Sequence, residues 1–108
     1  MIDAEQARYR STMRISPDHP SLPGHFPGHP VVPGVVILDE VIAAAERCIG
    51  HPLRMTGLPT AKFLSPLSPG REAVVEFSRR GSNWSFTVAC GETAIARGVL
   101  HAEPAGAP

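Results

Sequence analysis

The chain has 108 residues, 43% of them apolar, and its ten cationic side chains balance ten acidic ones to a formal net charge of zero. That length holds one domain with one small core, so association with a second copy would help it. A neutral balance argues against the basic footprint that non-specific nucleic-acid binding needs.

The start, Met-Ile-Asp-Ala-Glu-Gln-Ala-Arg, is polar and acidic and lacks the pattern of a secretion signal. No apolar run approaches bilayer-spanning length, so a cytoplasmic location without a membrane partner is expected. Residues 7–16 then alternate, with Tyr9, Ser11, Met13 and Ile15 set against Arg8, Arg10, Thr12 and Arg14. This predicts a half-exposed strand with one arginine-rich face. A solvated face accounts for those arginines; their spacing alone does not support contact with an acidic carrier domain.

Residues 17–33 contain six prolines: Pro17, Pro20, Pro23, Pro27, Pro30 and Pro33. Proline fixes φ and cannot donate to a ladder. With Phe26, Val31 and Val32 as apolar anchors, the segment reads as a rigid functional loop rather than a disordered one. Pro33-Gly34 opens a predicted helix that runs to about Ile49, because proline suits the first helical position and Gly50 with Pro52 supplies the stop. The helix is apolar nearly all round, which predicts burial on most sides inside a curved sheet.

Residues 53–64 suggest one or two short strands broken at Gly57–Pro59. Residues 71–80, 83–90 and 93–103 read as an antiparallel meander with turns at Gly81-Ser82 and Gly91-Glu92. Ala73, Val75 and Phe77 share one face, as do Trp84, Phe86, Val88 and Cys90. Ala94, Ala96, Gly98 and Leu100 share another, small enough for a helix to approach. The predicted class is α+β, one long helix against one antiparallel sheet, in a single domain over 1–103 with a flexible tail at 104–108. Cys48 and Cys90 lack metal-type spacing and are expected to be buried reduced thiols.

Three residues between 24 and 40 suggest chemistry. An unperturbed histidine titrates near neutrality, so His25 could serve as a base, although a lone loop histidine more often caps a backbone carbonyl. At Gly34 the first N–H groups of the helix lack intrahelical partners and could hold a carbonyl oxygen as negative charge develops. A simple Pro-Gly turn into the helix explains those two residues equally well. Asp39 lies roughly 7–8 Å further along the axis. Its helical neighbours Ile42 and Ala43 are apolar, and the nearest helix cation, Arg47, is eight residues on. A buried unpaired carboxylate tends towards a raised pKa, which suits a general acid. Glu40, turned about 100° away, belongs at an edge. His19, His25 and His29 stand in a proline-rich loop without nearby cysteines, so no metal site is expected.

The run Gly-His-Phe-Pro-Gly-His-Pro-Val-Val-Pro-Gly-Val-Val-Ile-Leu-Asp, residues 24–39, resembles the signature of the hot-dog-fold 3-hydroxyacyl-(acyl-carrier-protein) dehydratases. Lys62-Phe63 and Leu67-Ser68-Pro69-Gly70 resemble later positions of the same family, and the likeness covers roughly residues 20–103. The resemblance implies a sheet wrapped round a central helix. It also implies a homodimer with a continuous sheet, whose two active sites each take the histidine from one protomer and the carboxylate from the other. By position His25 matches the histidine, Asp39 the carboxylate and Gly34 the glycine whose N–H holds the thioester carbonyl. Val35, Phe26, Pro30 and Val31 would complete the substrate pocket.

The implied reaction converts a 3-hydroxyacyl thioester into a trans-2-enoyl thioester, in fatty-acid or specialised lipid or aryl-polyene synthesis. The partner is an acyl carrier protein, and no metal or redox cofactor is implied. Two features depart from the usual pattern. Position 39 is commonly glutamate, and the chain lacks the N-terminal helix and hairpin of the housekeeping enzymes, as short accessory dehydratases do. A hot-dog thioesterase using Asp39 or Glu40, or a non-catalytic acyl-binding subunit, are the competing readings.

Overall fold

The alternation over 7–16 becomes strand β1 (Gln6–Arg14), and the apolar run after Pro33 becomes helix α1 (Gly34–Ile49). Both belong to a computed structural model that describes residues 6–19 and 31–106. The helix ends where expected: Gly50 takes the left-handed conformation at φ 79°, and its N–H donates to the Glu46 carbonyl at 2.8 Å. Strands β2 (Leu53–Phe63), β3 (Glu72–Arg80), β4 (Asn83–Cys90) and β5 (Thr93–Pro104) follow. They form one antiparallel sheet in the order β1-β3-β4-β5-β2. The edges are therefore β1 and β2, and the helix backbone approaches both as well as β3. The sheet curls round the helix, which is the hot-dog arrangement.

The inner face follows from period-two alternation. Ala73, Val75 and Phe77 of β3 and Trp84, Phe86 and Val88 of β4 are buried against Val36, Ile37, Val41, Ala44 and Ala45 of α1. Tyr9 stacks on Trp84 with ring centroids 5.6 Å apart, and Phe77 meets Trp84 edge-on at 5.5 Å. Glu46 ties the far end of the helix to the sheet: its Oε2 accepts the Leu53 N–H at 2.8 Å. Glu46→Ala is expected to lower stability by about 1.5–3 kcal/mol in chemical denaturation, with Glu46→Gln losing less because an amide oxygen still accepts.

One expectation is resolved and three need correction. The one-or-two-strand reading of 53–64 resolves to a single strand, β2. Register shifts between Met55 and Gly57 and between Gly57 and Thr60 absorb the irregularity, and Pro59 is tolerated because β2 is an edge. Ala94 is exposed, because Val88 pairs with Ala96 while Ala89 pairs with Ala94. That bulge inserts Ile95, which takes the buried place with Ala96. The space beside Gly98 is filled by sheet neighbours, not the helix: an added Cβ would meet the Thr60 carbonyl oxygen at 2.3 Å and the Phe86 ring at 2.9 Å. Cys48 and Cys90 are only half-buried free thiols. Burial pushes the Cys48 thiol up from its ordinary pKa, with Arg47 opposing.

At the chain's end β5 runs to Pro104, and the Ala105 N–H donates to the Pro52 carbonyl at 3.1 Å. Among the described residues, no helix is long and apolar enough to cross a membrane.

Candidate active site

The first turn of α1 has no side-chain cap among the described residues. Pro33 precedes it at φ −61° and ψ 146° and offers no capping side chain, and the turn holds no acidic residue. The Pro33 carbonyl accepts from Val36 N–H at 3.0 Å and Ile37 N–H at 3.2 Å. The N–H groups of Gly34 and Val35 therefore precede the first acceptor within the helix and sit at the positive end of its dipole. Nothing anionic on the first turn offsets them.

This helix end opens on a cleft of ≈ 420 Å³ lined by Val31, Val32, Gly34, Ile37, Phe63 and the turn from Leu64 to Leu67. The volume falls within the range of small-ligand pockets, and the lining is almost wholly apolar. Two long-range contacts shape it. The Val32 N–H donates to the Leu67 carbonyl at 2.9 Å, which pins the segment before α1 to the turn after β2. The Phe63 ring stands over Gly34, where an added Cβ would come within 2.8 Å of its tip. The glycine is needed for that close approach, and Phe63 is 49% exposed, so its ring can move. Donors for an oxyanion beside an apolar slot are what a thioester carbonyl requires.

The structure brings Gly34 and Val31 together in this cleft. Val35 points away from it, 66% exposed. Asp39 corrects the expected buried acid, since it is exposed on the single chain. The reason is helical phase. α1 buries the stripe from Val36 to Ala45 against the sheet, while Val35, Asp39, Ile42 and Glu46 fall at i, i+4, i+7 and i+11 on the opposite stripe. The helix is thus not buried on most sides within one protomer. Asp39 has no ion pair among the described residues. His25, Phe26 and Pro30 lie outside the described residues, as does His29. Among the described residues no cluster of three His, Cys, Asp or Glu side chains could hold a metal.

Phe63 and the 64–67 turn are cleft residues that the sequence reading did not assign to the site. The available signal was an apolar Phe-Leu pair ending a strand before a proline turn.

Residues 1–99 match the sequence model of the family described as ApeI-like, ApeI dehydratase. The 3-hydroxyacyl-(acyl-carrier-protein) dehydratase FabZ of Thermus thermophilus is 30% identical, over 88% of this chain and 70% of that protein. The FabZ of Klebsiella pneumoniae is 33% identical over 75% of this chain and 63% of that one. Among solved structures, the dehydratase heterocomplex ApeI:P of Xenorhabdus doucetiae superposes with a TM-score of 0.73 at 19% identity, covering 94% of this chain and 96% of that one. The fluoroacetyl-CoA thioesterase FlK superposes with a TM-score of 0.72 at 15% identity, covering 89% and 83%. These two structural likenesses are of fold alone.

Proposed function

The chain belongs to the ApeI-like dehydratase family, and we propose that it removes water from a 3-hydroxyacyl thioester on an acyl carrier protein, leaving the trans-2-enoyl thioester. The observation that carries this reading is the N-terminus of α1 at Gly34, without a side-chain cap among the described residues and open on an apolar cleft. On this reading the Gly34 N–H binds the thioester oxygen and stabilises the charge that builds there when C2 loses its proton. His25 takes that proton. The electron pair left on C2 forms the C2–C3 double bond as the C3–O bond breaks, and Asp39, directly or through a water, delivers a proton to the departing hydroxyl, which leaves as water. The acyl chain lies in the apolar cleft.

The proposed working unit is a dimer formed at the free edge of β2. Among the described residues, Val35, Met55, Leu58, Phe63 and Leu64 are the large apolar side chains left exposed, and all lie on α1, β2 or the turn that follows. Unpaired edges invite a second strand, and a contiguous apolar surface beside one marks an interface. In such a dimer His25 of one protomer meets Asp39 of the other.

Incubation with 3-hydroxyacyl and enoyl carrier-protein thioesters tests the reaction. Reversible hydration and dehydration without release of free thiol is the expected result; thiol release would instead establish a thioesterase, and carrier binding without turnover a non-catalytic subunit. Gly34→Ala should leave the fold intact, because the half-exposed Phe63 ring can swing aside. It should still slow turnover by about 10²-fold, because the displaced ring and the new methyl crowd the carbonyl's place.

A further inference from the structure

The zero net charge conceals a sided distribution. Across the outer face of the sheet, Arg10, Glu76, Thr87, Arg97 and Lys62 are successive register partners, one row spanning all five strands. The neighbouring row runs Arg8, Ser78, Ser85, Val99 and Thr60. Some outer cations are neutralised: Arg14 pairs with Glu72 at 3.6 Å and Arg54 with Glu103 at 2.6 Å. Arg8, Arg10, Lys62 and Arg97 have no ion pair among the described residues. Lys62 and Arg97 also stand directly opposite each other, where like charges destabilise a sheet. With Thr60 and Thr87 they flank a shallow groove of ≈ 310 Å³. Arg8 flanks a second groove of ≈ 290 Å³ with Glu76, Ser78 and Ser85, so this groove carries one charge of each sign.

We propose that this outer face docks an acidic protein, the carrier that brings the substrate, with Lys62 and Arg97 as its principal contacts. The assignment of the carrier as occupant rests on the dehydratase reading. Charge complementarity supports it: Lys62 and Arg97 flank the first groove without an ion pair among the described residues, Thr60 and Thr87 lie beside them, and an incoming anion would relieve their repulsion. Glu76 in the middle of the row disfavours a continuous polyphosphate, which would place charge over the carboxylate; discrete acidic side chains can straddle it. A membrane surface is disfavoured because none of the large exposed apolar side chains lies on β1, β3, β4 or β5. Lys62 also precedes Phe63, a wall of the cleft, so the cationic end of the row lies one residue along β2 from the proposed site.

The test compares the 3-hydroxyacyl group on the carrier with the same group on N-acetylcysteamine, which has no protein to dock. Lys62→Glu is the informative variant, because it gives Arg97 an opposite charge across the strands and should raise the thermal midpoint. Expected is a rise of about tenfold in KM for the carrier-bound substrate, unchanged kcat, and unchanged kinetics on the small thioester. The double variant with Arg97→Glu should add to the effect and abolish the ionic-strength dependence of KM. Equal losses on both substrates, or none on either, would overturn the docking surface. Binding of labelled, unacylated carrier by fluorescence anisotropy separates the two readings. If the wild type turns over neither substrate yet binds the carrier in a Lys62-dependent way, the dehydratase reading fails and the surface stands. Equally Lys62-dependent binding of duplex DNA or anionic vesicles would overturn an acidic protein as the occupant.

Discussion

His25→Ala and Asp39→Asn should each reduce dehydration by about 10²–10⁴-fold, the usual contribution of one positioned acid or base. Asp39→Asn should not unfold the protein. Asp39 is exposed on its protomer and makes no ion pair among the described residues, so asparagine removes no folded-state contact there. The more discriminating result comes from mixing the two inactive variants. If the proposed site takes His25 from one chain and Asp39 from its partner, each mixed dimer contains one site with both groups intact and one with neither. Random exchange makes half the dimers mixed, so activity should recover to about a quarter of the wild-type rate. If the two groups acted within one chain, every site would lack one of them and mixing would restore nothing. The phase of α1 favours the first outcome. Asp39 shares its stripe with Val35, which is 66% exposed, and a large apolar side chain beside an isolated carboxylate suits a surface made to be covered.

That phase is also where sequence reasoning went astray. The limits of α1 were legible because Pro33, Gly34 and Gly50 act locally, on the backbone next to them. The apolar faces of β3 and β4 were legible because alternation is local too. Burial of Asp39 was inferred from Ile42 and Ala43 on its own helix, whereas burial is decided by which side of the helix the sheet occupies. The sheet took the stripe from Val36 to Ala45 and left Asp39 out. The inserted Ile95 was invisible for a related reason, since a bulge changes which residue faces inward without changing composition. At the site, the spacing of His25, Gly34 and Asp39 proposed a chemistry, and the resemblance named it. Phe63 and the 64–67 turn reach Gly34 and Val32 only through the tertiary fold, across about thirty residues of chain that local rules do not span. The cationic row was missed likewise: net charge counts residues, but Arg10 and Lys62 become members of one row only once strand order is known.

Gly98→Ala is the substitution expected to damage the fold most for its size. The added methyl would lie 2.3 Å from the Thr60 carbonyl oxygen and 3.0 Å from the Ala61 Cα, both backbone atoms that no rotamer change can move. It would also lie 2.9 Å from the tip of Phe86, which is 2% exposed. Relief requires β2 to move away from β5, beside a stretch where its register is already shifted between Gly57 and Thr60. Overpacking of this kind costs about 1–3 kcal/mol, and the backbone contact puts this case at the upper end. In a domain of this size that lowers the thermal midpoint by roughly 10 °C or more. Gly57→Ala is the matched control on the same strand pair, because its Cβ would meet only the His101 ring at 3.4 Å, an ordinary contact. A midpoint loss as large for Gly57→Ala would mean that glycine flexibility along β2, not the approach of Thr60 to Gly98, sets the stability. The damage should extend to function, because Lys62 and Phe63 lie just beyond Thr60 and Ala61 on the displaced strand. Gly98→Ala is therefore expected to weaken carrier docking and turnover together, whereas Lys62→Glu separates them.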